Sequence, residues 1–254
     1  MLYSGSMKFN KICELEDWRL PYLAGYPNHR KCWEATHFMQ GLRELGAIRP
    51  DGWALGVGAG HESPVFALTK YVRWVFCTDL YGSTDFAEAD SMMLRDPDQL
   101  APAPYNRRRL VVQHMDALDL RFEDETFDIV FSLSSVEHFG GIEGSKKALA
   151  ETARVLKPGG IAALTTEIIV NEKDYLHYSN LQLFSPEVLC EFVNSATGLS
   201  PIEPIDFSIS PATRATVMPF EQAISEPGRL PHIVLSYKGR DFTSISVFLR
   251  KAAC

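Results

Sequence analysis

The sequence lacks the features that mark membrane-spanning and secreted proteins. No apolar run approaches the roughly 20 residues that cross a bilayer. The opening decapeptide, MLYSGSMKFN, has no basic and then apolar signal pattern, and we set residues 1–6 apart from the fold. The five cysteines include no C-x-x-C pair, which argues against a disulfide framework and a zinc knuckle. These absences predict a cytoplasmic protein without a membrane partner.

Metal-ligand patterns and an excess of positive charge are also missing. The histidines show no H-x-x-x-H spacing, and no cluster of Asp and Asn marks a magnesium site, so we predict no metal. The formal net charge of −7 would repel a phosphate backbone. The only dense basic run, Arg107 to Arg109, is interpreted as a solvated strand entrance. Nucleic acid is therefore not an expected partner.

The length of 254 residues and the apolar content of 46% predict one α/β domain with an N-terminal extension. We expect residues 1–50 to form a helical cap, with a helix over about 30–47, and residues 51–254 to form the main domain. Within that domain, residues 51–170 are the predicted core. Residues 171–254 are expected to supply the C-terminal strands and the substrate loops.

Short apolar runs alternate with helical patterns along the core. This alternation predicts a Rossmann-like, mostly parallel sheet with helices on both faces. An antiparallel C-terminal strand pair is expected after it, and the long Pro- and Gly-bearing stretch 208–239 between those two strands is interpreted as a functional insertion. The predicted strands are 53–57, 73–78, 110–113, 127–132, 161–166, 201–207 and 243–249, and the later helices are 62–70, 86–94, a helix ending near 156, and 185–194.

Three glycines lie between the first predicted core strand and the next helix. Gly56, Gly58 and Gly60 would let backbone amides approach a nucleoside or a carboxylate. Nicotinamide, flavin and methyl-donor enzymes all use such a turn, and a tight turn without a ligand is the other interpretation. Asp79 ends the next strand, about 20 residues on, where a carboxylate accepts hydrogen bonds from ribose hydroxyls.

A second candidate ligand site follows the third core strand. Met115 places a flexible thioether beside the Asp116 carboxylate, so a flat base has an apolar surface and an acceptor for its amino group. The alternative is that Asp116 only caps a turn.

Together these motifs resemble the class I S-adenosylmethionine-dependent methyltransferases, and the likeness runs from about Trp53 to Thr166. Residues 54–60 (ALGVGAG) resemble the first motif of that family, and residues 127–132 (FDIVFS) its fourth-strand motif. The most specific likeness is 154–160 (RVLKPGG), the turn from helix to strand. The resemblance implies S-adenosylmethionine as the cofactor, bound by Gly56, Gly58, Gly60, Glu62, Asp79, Leu80, Met115, Asp116, Ala117 and Ser132.

Two positions depart from the family pattern. The first motif usually has an acid where this chain has Gly56, and a further glycine where it has Glu62. A buried ammonium without a partner is costly. We therefore take Glu62, or Glu34 in the upstream helix, as the candidate carboxylate for the methionine amino group.

The fourth strand leads into residues 134–141 (SSVEHFGG), where family members hold the substrate. His138 is the candidate general base, helped by Glu137, because an imidazole near its unperturbed pKa can remove a proton as the methyl group arrives. A histidine held only by packing is the alternative. Tyr175 and Tyr178 follow the fifth strand, where substrate-binding lids usually lie, and exposed helix aromatics are the other interpretation.

The predicted function is methyl transfer from S-adenosylmethionine to an oxygen or nitrogen of a small molecule or sugar-like metabolite. A non-catalytic nucleoside-binding scaffold of the same fold is one alternative. Fatty-acyl modification is another, because residues 137–140 (EHFG) resemble a string in the cyclopropane fatty-acid synthases. A nicotinamide oxidoreductase is a third, and it is not expected to carry the 154–160 motif.

Overall fold

The computed structural model describes residues 7–15, 29–82, 87–178, 181–226 and 228–253. The segment 1–6, which we set apart from the fold, and Phe86, the predicted first residue of the third helix, lie outside the described residues. No helix in the described part of the chain is long and apolar enough to cross a bilayer.

Strands and helices alternate through the described chain. The helices are α1 (Arg30–Glu44), α2 (Ser63–Leu68), α3 (Ala87–Arg95), α4 (Gly141–Val155), α5 (Pro186–Val193), α6 (Pro211–Arg214) and α7 (Phe220–Ser225). The strands are β1 (Lys11–Ile12), β2 (Trp53–Val57), β3 (Trp74–Asp79), β4 (Leu110–His114), β5 (Phe127–Leu133), β6 (Leu156–Ile169), β7 (Leu176–Tyr178), β8 (Leu181–Leu183), β9 (Leu199–Pro201), β10 (Met218–Pro219), β11 (Leu235–Tyr237) and β12 (Arg240–Lys251).

The main sheet has the strand order β10-β11-β12-β6-β5-β2-β3-β4. Neighbours from β6 to β4 run parallel, whereas β12 runs antiparallel to β6 over nine residue pairs. The strand order reverses between β2 and β5, because β3 and β4 extend to one side and β6 to the other. Ligands of open α/β sheets bind at the carboxyl ends of strands on either side of such a reversal.

Two apolar layers cover opposite faces of the sheet. Ala54 and Ile129 pack into one cluster with α1 and α2, while Leu55 and Val130 pack into the other with α4 and α5. Successive side chains of a strand point to opposite faces, so this alternation buries both faces of β2 and β5. The near-continuous apolar runs of these strands therefore indicate a buried parallel sheet correctly.

Most sequence predictions agree with these elements to within a few residues, and three need correction. Lys157 to Gly160 end the helix as expected, but strand β6 already begins at Leu156, because the chain re-enters the sheet beside Phe127 and shifts register before Ile129. The strand predicted over 201–207 is wrong: β9 covers only Leu199–Pro201 and pairs with the far end of β12. The stretch predicted as one insertion, 208–239, contains α6, β10, α7 and β11.

The antiparallel C-terminal pair is confirmed, with β11 and not the 201–207 segment as the hairpin partner of β12. The predicted division at residue 50 stays a prediction. Residues on its N-terminal side nevertheless contact the sheet directly, since β1 pairs with β12 and α1 packs across β12.

Helix α1 approaches β12 most closely at Gly41. A Cβ atom at this position would lie 2.3 Å from Cζ of Phe248, whose ring is fully buried. No real Cβ contact is that short, so the glycine fixes how closely the helix lies on the sheet. The N-terminal end of the same helix reaches the carboxyl end of β6, where Nη1 of Arg30 lies 2.7 Å from Oε1 of Glu167.

We predict that Gly41→Ala lowers the free energy of unfolding by about 1–2 kcal/mol, because overpacking outweighs the gain of roughly 1 kcal/mol in helix propensity. Urea denaturation measures the change. The neighbouring Gln40→Ala, on the half-exposed side of α1, is the matched control and should shift the midpoint much less. Equal midpoints for Gly41→Ala and the unmodified chain would contradict the proposed close contact.

Candidate functional site

The carboxyl ends of β2 and β5 meet at the reversal of strand order. The hydroxyl of Ser135, just after β5, donates to the carbonyl oxygen of Gly58, just after β2, at 2.5 Å. Gly58 has φ +60°, and a Cβ there would lie 2.8 Å from Cβ of Ser135. Only glycine fits this crossing comfortably, because both the backbone angle and the space exclude a side chain.

Gly56 also has no room for a side chain. A Cβ at Gly56 would lie 2.7 Å from Cβ of Ala59 and 2.8 Å from Cζ of Phe131. An acid at this position, as in the family's usual first motif, would displace the buried Phe131 ring. The departure from the family pattern is therefore a packing requirement of this chain.

Asp79 holds the glycine turn against the end of β3. Its Oδ2 accepts a hydrogen bond from the amide of Gly60 at 2.8 Å, and its Oδ1 accepts from the amide of Leu80 at 2.7 Å. The Asp79 side chain is half-buried and Leu80 is exposed. The structure thus brings Gly60, Asp79 and Leu80 together, as the sequence predicts.

Met115, Asp116 and Ala117 lie beside this turn at the end of β4. The amide of Met115 donates to the carbonyl of Asp79 at 3.0 Å. Met115 is half-buried, Ala117 is buried, and Asp116 is exposed. Oδ1 of Asp116 also accepts from the amide of Leu118 at 2.9 Å, so this residue does cap a turn. Capping uses one carboxylate oxygen and leaves the other at the surface.

Ser132 in β5 is buried, and its hydroxyl has no hydrogen-bond partner. It lines a small cavity together with Val57, Val136, Phe139 and Leu149, among others. A buried hydroxyl without a partner is costly, so a bound polar group or a water is expected near it.

The two candidate acids for a ligand ammonium differ in their surroundings. Glu62 is half-buried and precedes α2, where its side chain does not cap the helix. Glu34 is 2% exposed, and both of its oxygens are engaged: Oε1 by Arg30 and Ser244, and Oε2 by Lys31 and Ser134. Burial opposes its charged form, but Lys31, Arg30 and the two serine hydroxyls hold the pKa of Glu34 below its ordinary value. Because both oxygens of Glu34 already bind cations and hydroxyls inside the protein, Glu34 is a poor candidate for a ligand ammonium.

Glu34 belongs to a buried ionic group that we call the Arg30 cluster: Arg30, Lys31, Glu34, Glu167 and Ser244. Nη1 of Arg30 lies 2.7 Å from Oε1 of Glu167, 3.2 Å from Oε1 of Glu34 and 2.9 Å from the Ser244 hydroxyl. Burial lowers the pKa of Arg30, and the neighbouring carboxylates more than reverse that effect. The cluster ties α1 to β6 and β12 at the carboxyl end of the sheet.

Glu137 and His138 sit on one turn of 3-10 helix after β5, in contrasting environments. Glu137 is 1% exposed, and the Thr166 hydroxyl donates to its Oε2 at 3.0 Å. Burial raises the pKa of Glu137 to about 7; the charge of His138 opposes the shift and that of Glu167 adds to it. His138 is exposed to solvent. The buried member of the pair is thus the carboxyl group.

The two tyrosines lie on and beside the β7–β8 hairpin and differ in role. The hydroxyl of Tyr175 donates to Oε1 of Gln182 at 2.8 Å, and Nε2 of Gln182 donates to the carbonyl of Val136 at 3.1 Å. Tyr175 therefore braces the turn that carries Glu137. Tyr178 is half-exposed beneath the ammonium of Lys238.

Sequence reasoning missed Arg30 and Glu167. Glu167 continues a predicted buried strand, and a charged residue at the carboxyl end of an apolar strand was the available signal. Arg30 gave no such signal, because only the packing of α1 buries it. The described residues contain no group of three or more His, Cys, Asp or Glu side chains arranged to hold a metal ion.

Comparisons with known proteins agree with this geometry. A methyltransferase-domain family matches residues 54–164. The 27-O-demethylrifamycin SV methyltransferase of Amycolatopsis mediterranei is 28% identical over 135 residues, 53% of this chain and 46% of that protein. A sterol 24-C-methyltransferase of Schizosaccharomyces pombe is 26% identical over 127 residues, 50% of this chain and 31% of that protein. The chain thus spans less than half the length of these curated relatives.

A solved structure extends the likeness beyond the matched segment. The crystal structure of the [4+2]-cyclase SpnF superposes with a TM-score of 0.61 at 17% identity, covering 93% of this chain and 86% of that one. At this identity the likeness concerns the fold alone. The sequence motifs, the reversal of strand order and the family match over residues 54–164 agree with one another: this segment is similar to methyltransferase domains, and the findings support the expected class I S-adenosylmethionine-dependent methyltransferase with S-adenosylmethionine as its cofactor.

Proposed function

We propose that this chain transfers a methyl group from S-adenosylmethionine to an oxygen or nitrogen of a small molecule or sugar-like metabolite. The observation that carries the proposal is Glu137, a buried carboxyl group with a pKa of about 7 at the carboxyl end of the sheet. A general base works best when its pKa lies near the operating pH. Perturbed carboxyl groups of this kind are concentrated at functional sites.

The residues at the β2–β5 crossing suit the cofactor. Asp79 places a carboxylate against the glycine turn at the end of β3, the Gly58 turn leaves no side chain in the way, and Met115 with Asp116 offers an apolar surface beside an acceptor. Ser132 supplies a buried hydroxyl that has no partner. Glu62 is the candidate acceptor for the methionine ammonium, in place of the acid that Phe131 excludes at position 56.

The bound cofactor would supply an activated methyl group on a good leaving group, so little covalent chemistry is left to the protein. The chain's own task is to align the acceptor, exclude water and remove one proton. We propose that the Glu137 carboxylate takes the proton that the acceptor oxygen or nitrogen loses. Thr166 holds that carboxylate through Oε2, and Tyr175 braces the turn that carries it.

The sequence suggested His138 as the base with Glu137 as its helper. In this proposal Glu137 is the base and His138 is the helper. The imidazole of His138 is exposed, so solvent screens its electrostatic interaction with a bound acceptor. We assign to it an electrostatic influence on Glu137, whose pKa its positive charge lowers. His138→Ala should therefore alter the pH dependence of turnover more than its maximum.

A nucleoside-binding scaffold without catalysis is the second candidate function. The departures at Gly56 and Glu62 favour it, because the usual ammonium contact of the family is changed. Both candidates require the cofactor to bind, and only the methyltransferase requires a base. The two predictions below test these requirements separately.

We predict that Asp79→Asn weakens the affinity for S-adenosylhomocysteine by about 10- to 100-fold, because hydrogen bonds to a charged group contribute roughly 1.5–3 kcal/mol. Calorimetric titration measures it. Asp119→Asn, an exposed acid after the neighbouring strand, is the control and should bind normally. If Asp79→Asn binds as tightly as the unmodified chain, Asp79 does not belong to the cofactor site, and no binding by the unmodified chain would count against both candidate functions.

We predict that Glu137→Gln stabilises the chain increasingly as the pH rises. The pKa of the Glu137 carboxyl is 4.5 in the unfolded chain, its ordinary value, and about 7 in the folded chain. Between pH 4.5 and about 7 the folded state therefore binds one more proton than the unfolded state does. The unmodified chain therefore loses stability across this window, by up to about 3 kcal/mol above it, and the Gln variant does not. A base must be ionised to accept a proton. Turnover that needs the Glu137 carboxylate should therefore fall as the pH drops below about 7.

Urea denaturation of both proteins at several pH values between about 5 and 8 measures the difference. The exposed Glu123→Gln is the matched control and should show no such trend. A difference between Glu137→Gln and the unmodified chain that stays constant with pH would show that Glu137 is ionised throughout, and the proposed base would lose its basis.

A further inference from the structure

Two buried side chains hold the carbonyl group of Gly60 at the end of the glycine turn. The hydroxyl of Tyr81 donates to the carbonyl oxygen of Gly60 at 2.9 Å. The sulfur of Cys77 lies 3.0 Å from the Tyr81 hydroxyl oxygen and 3.5 Å from the same carbonyl oxygen. Cys77 is fully buried and Tyr81 is 4% exposed. The carbonyl of Gly60 is therefore turned toward a buried pair of side chains.

Asp79 holds the other end of the same residue. Its Oδ2 accepts a hydrogen bond from the Gly60 amide at 2.8 Å. The amide and the carbonyl of one residue belong to two peptide planes, one on each side of its Cα atom. Asp79 and Tyr81 together therefore fix both planes at Gly60, which has φ +45°. A glycine needs such support, because its own backbone permits many conformations.

The rest of the turn is joined to β3 in a similar way. The hydroxyl of Thr78 donates to the carbonyl of Gly56 at 2.9 Å, and the amide of Ala59 donates to the carbonyl of Thr78 at 3.1 Å. Tyr81 follows the end of β3, which is Asp79. A side chain therefore holds the turn at the point where the backbone of the strand ends.

We propose that Tyr81 is a positioning residue of the cofactor site: its hydroxyl fixes the Gly60 peptide, and through the Gly60 amide it orients the carboxylate of Asp79. This inference rests on the proposed function, in which Asp79 belongs to the cofactor site. It adds Tyr81, with Cys77 beside it, to the residues on which the affinity for the cofactor depends. Neither side chain needs to touch the cofactor.

Satisfaction of the buried hydroxyl is the competing explanation. A buried tyrosine hydroxyl usually finds an acceptor, and any nearby carbonyl would serve. The identity of the acceptor favours a positioning role, because Gly60 is also the residue whose amide binds Asp79. A hydroxyl that is only satisfied contributes to stability, whereas a positioning hydroxyl contributes to cofactor affinity through Asp79.

A double-mutant cycle on the affinity for S-adenosylhomocysteine distinguishes the two explanations. Tyr81→Phe removes the hydroxyl and keeps the ring, and Asp79→Ala removes the group that Tyr81 is proposed to orient. Calorimetric titration measures the two single variants and the double variant. Tyr105→Phe is the matched control, because the hydroxyl of Tyr105 also donates to a protein oxygen, on Asp98, but lies before the amino end of β4. Thermal denaturation checks that every variant folds.

Tyr81→Phe should weaken the affinity by about three- to tenfold, the usual effect of one lost hydrogen bond, while Tyr105→Phe should bind normally. In the Asp79→Ala background the same change should alter the affinity by less than about twofold, because the group it acts through is gone. The proposal is overturned if Tyr81→Phe keeps full affinity, or if its fold-loss is equal in both backgrounds. Lower thermal stability with unchanged affinity would establish the competing explanation.

Two outcomes call for a second variant. If Asp79→Ala binds too weakly to measure, Asp79→Asn replaces it, and the loss caused by Tyr81→Phe must be smaller there than in the unmodified chain. If Tyr81→Phe does not fold, Cys77→Ala replaces it. That variant must weaken the affinity, because it removes the sulfur that contacts both the hydroxyl and the carbonyl.

Binding by the unmodified chain separates this inference from the proposed function. Normal binding of S-adenosylhomocysteine without an effect of Tyr81→Phe would overturn the role of Tyr81 and leave the methyltransferase proposal standing. Failure of the unmodified chain to bind S-adenosylhomocysteine would count against the proposed function itself, and with it against this inference.

Discussion

A buried guanidinium must be paired, and this requirement organises the end of the molecule that carries the site. Arg30 is 5% exposed and lies between the carboxylates of Glu34 and Glu167, so its burial depends on α1 and β6 meeting at one place. Removing one partner of such a group typically costs several kcal/mol. Ser134 and Ser244 extend the same network to the ends of β5 and β12. The N-terminal helix is thereby fixed over the carboxyl edge of the sheet.

This network also sets the electrostatic environment of Glu137. Arg30 and Lys31 offset the charges of Glu34 and Glu167. Burial is the largest effect on the pKa of Glu137 and raises it, the charge of Glu167 adds to this effect, and the charges of His138 and Lys31 oppose it. Burial then favours the protonated form of Glu137 near neutrality. The cluster that secures the helix thus leaves one nearby carboxyl group able to exchange a proton at physiological pH.

The glycine turn and the ionic cluster occupy neighbouring strand ends and differ in chemistry. At the β2–β5 crossing, backbone atoms of Gly58 and Gly60 are held by Ser135 and Asp79, which suits a nucleoside. At the ends of β5 and β6, side chains of α1 and the strands form an interior of paired charges. The reversal of strand order places these two environments side by side, at the edge where open α/β sheets bind their ligands.

The sequence by itself determined the order of the core strands and helices from β2 to β6 and identified the candidate cofactor residues at their ends. Local signals were sufficient there, because glycine spacing, apolar runs and acids at strand ends each depend on a few adjacent residues. Only the tertiary structure brought together the ionic cluster and the buried Glu137. Arg30 and Glu167 are 137 positions apart, and Glu137 and Thr166 are 29 apart, so no local pattern shows that they meet. The tertiary structure also buried Glu137 and exposed His138, because burial depends on which helices cover a strand end and not on adjacent letters.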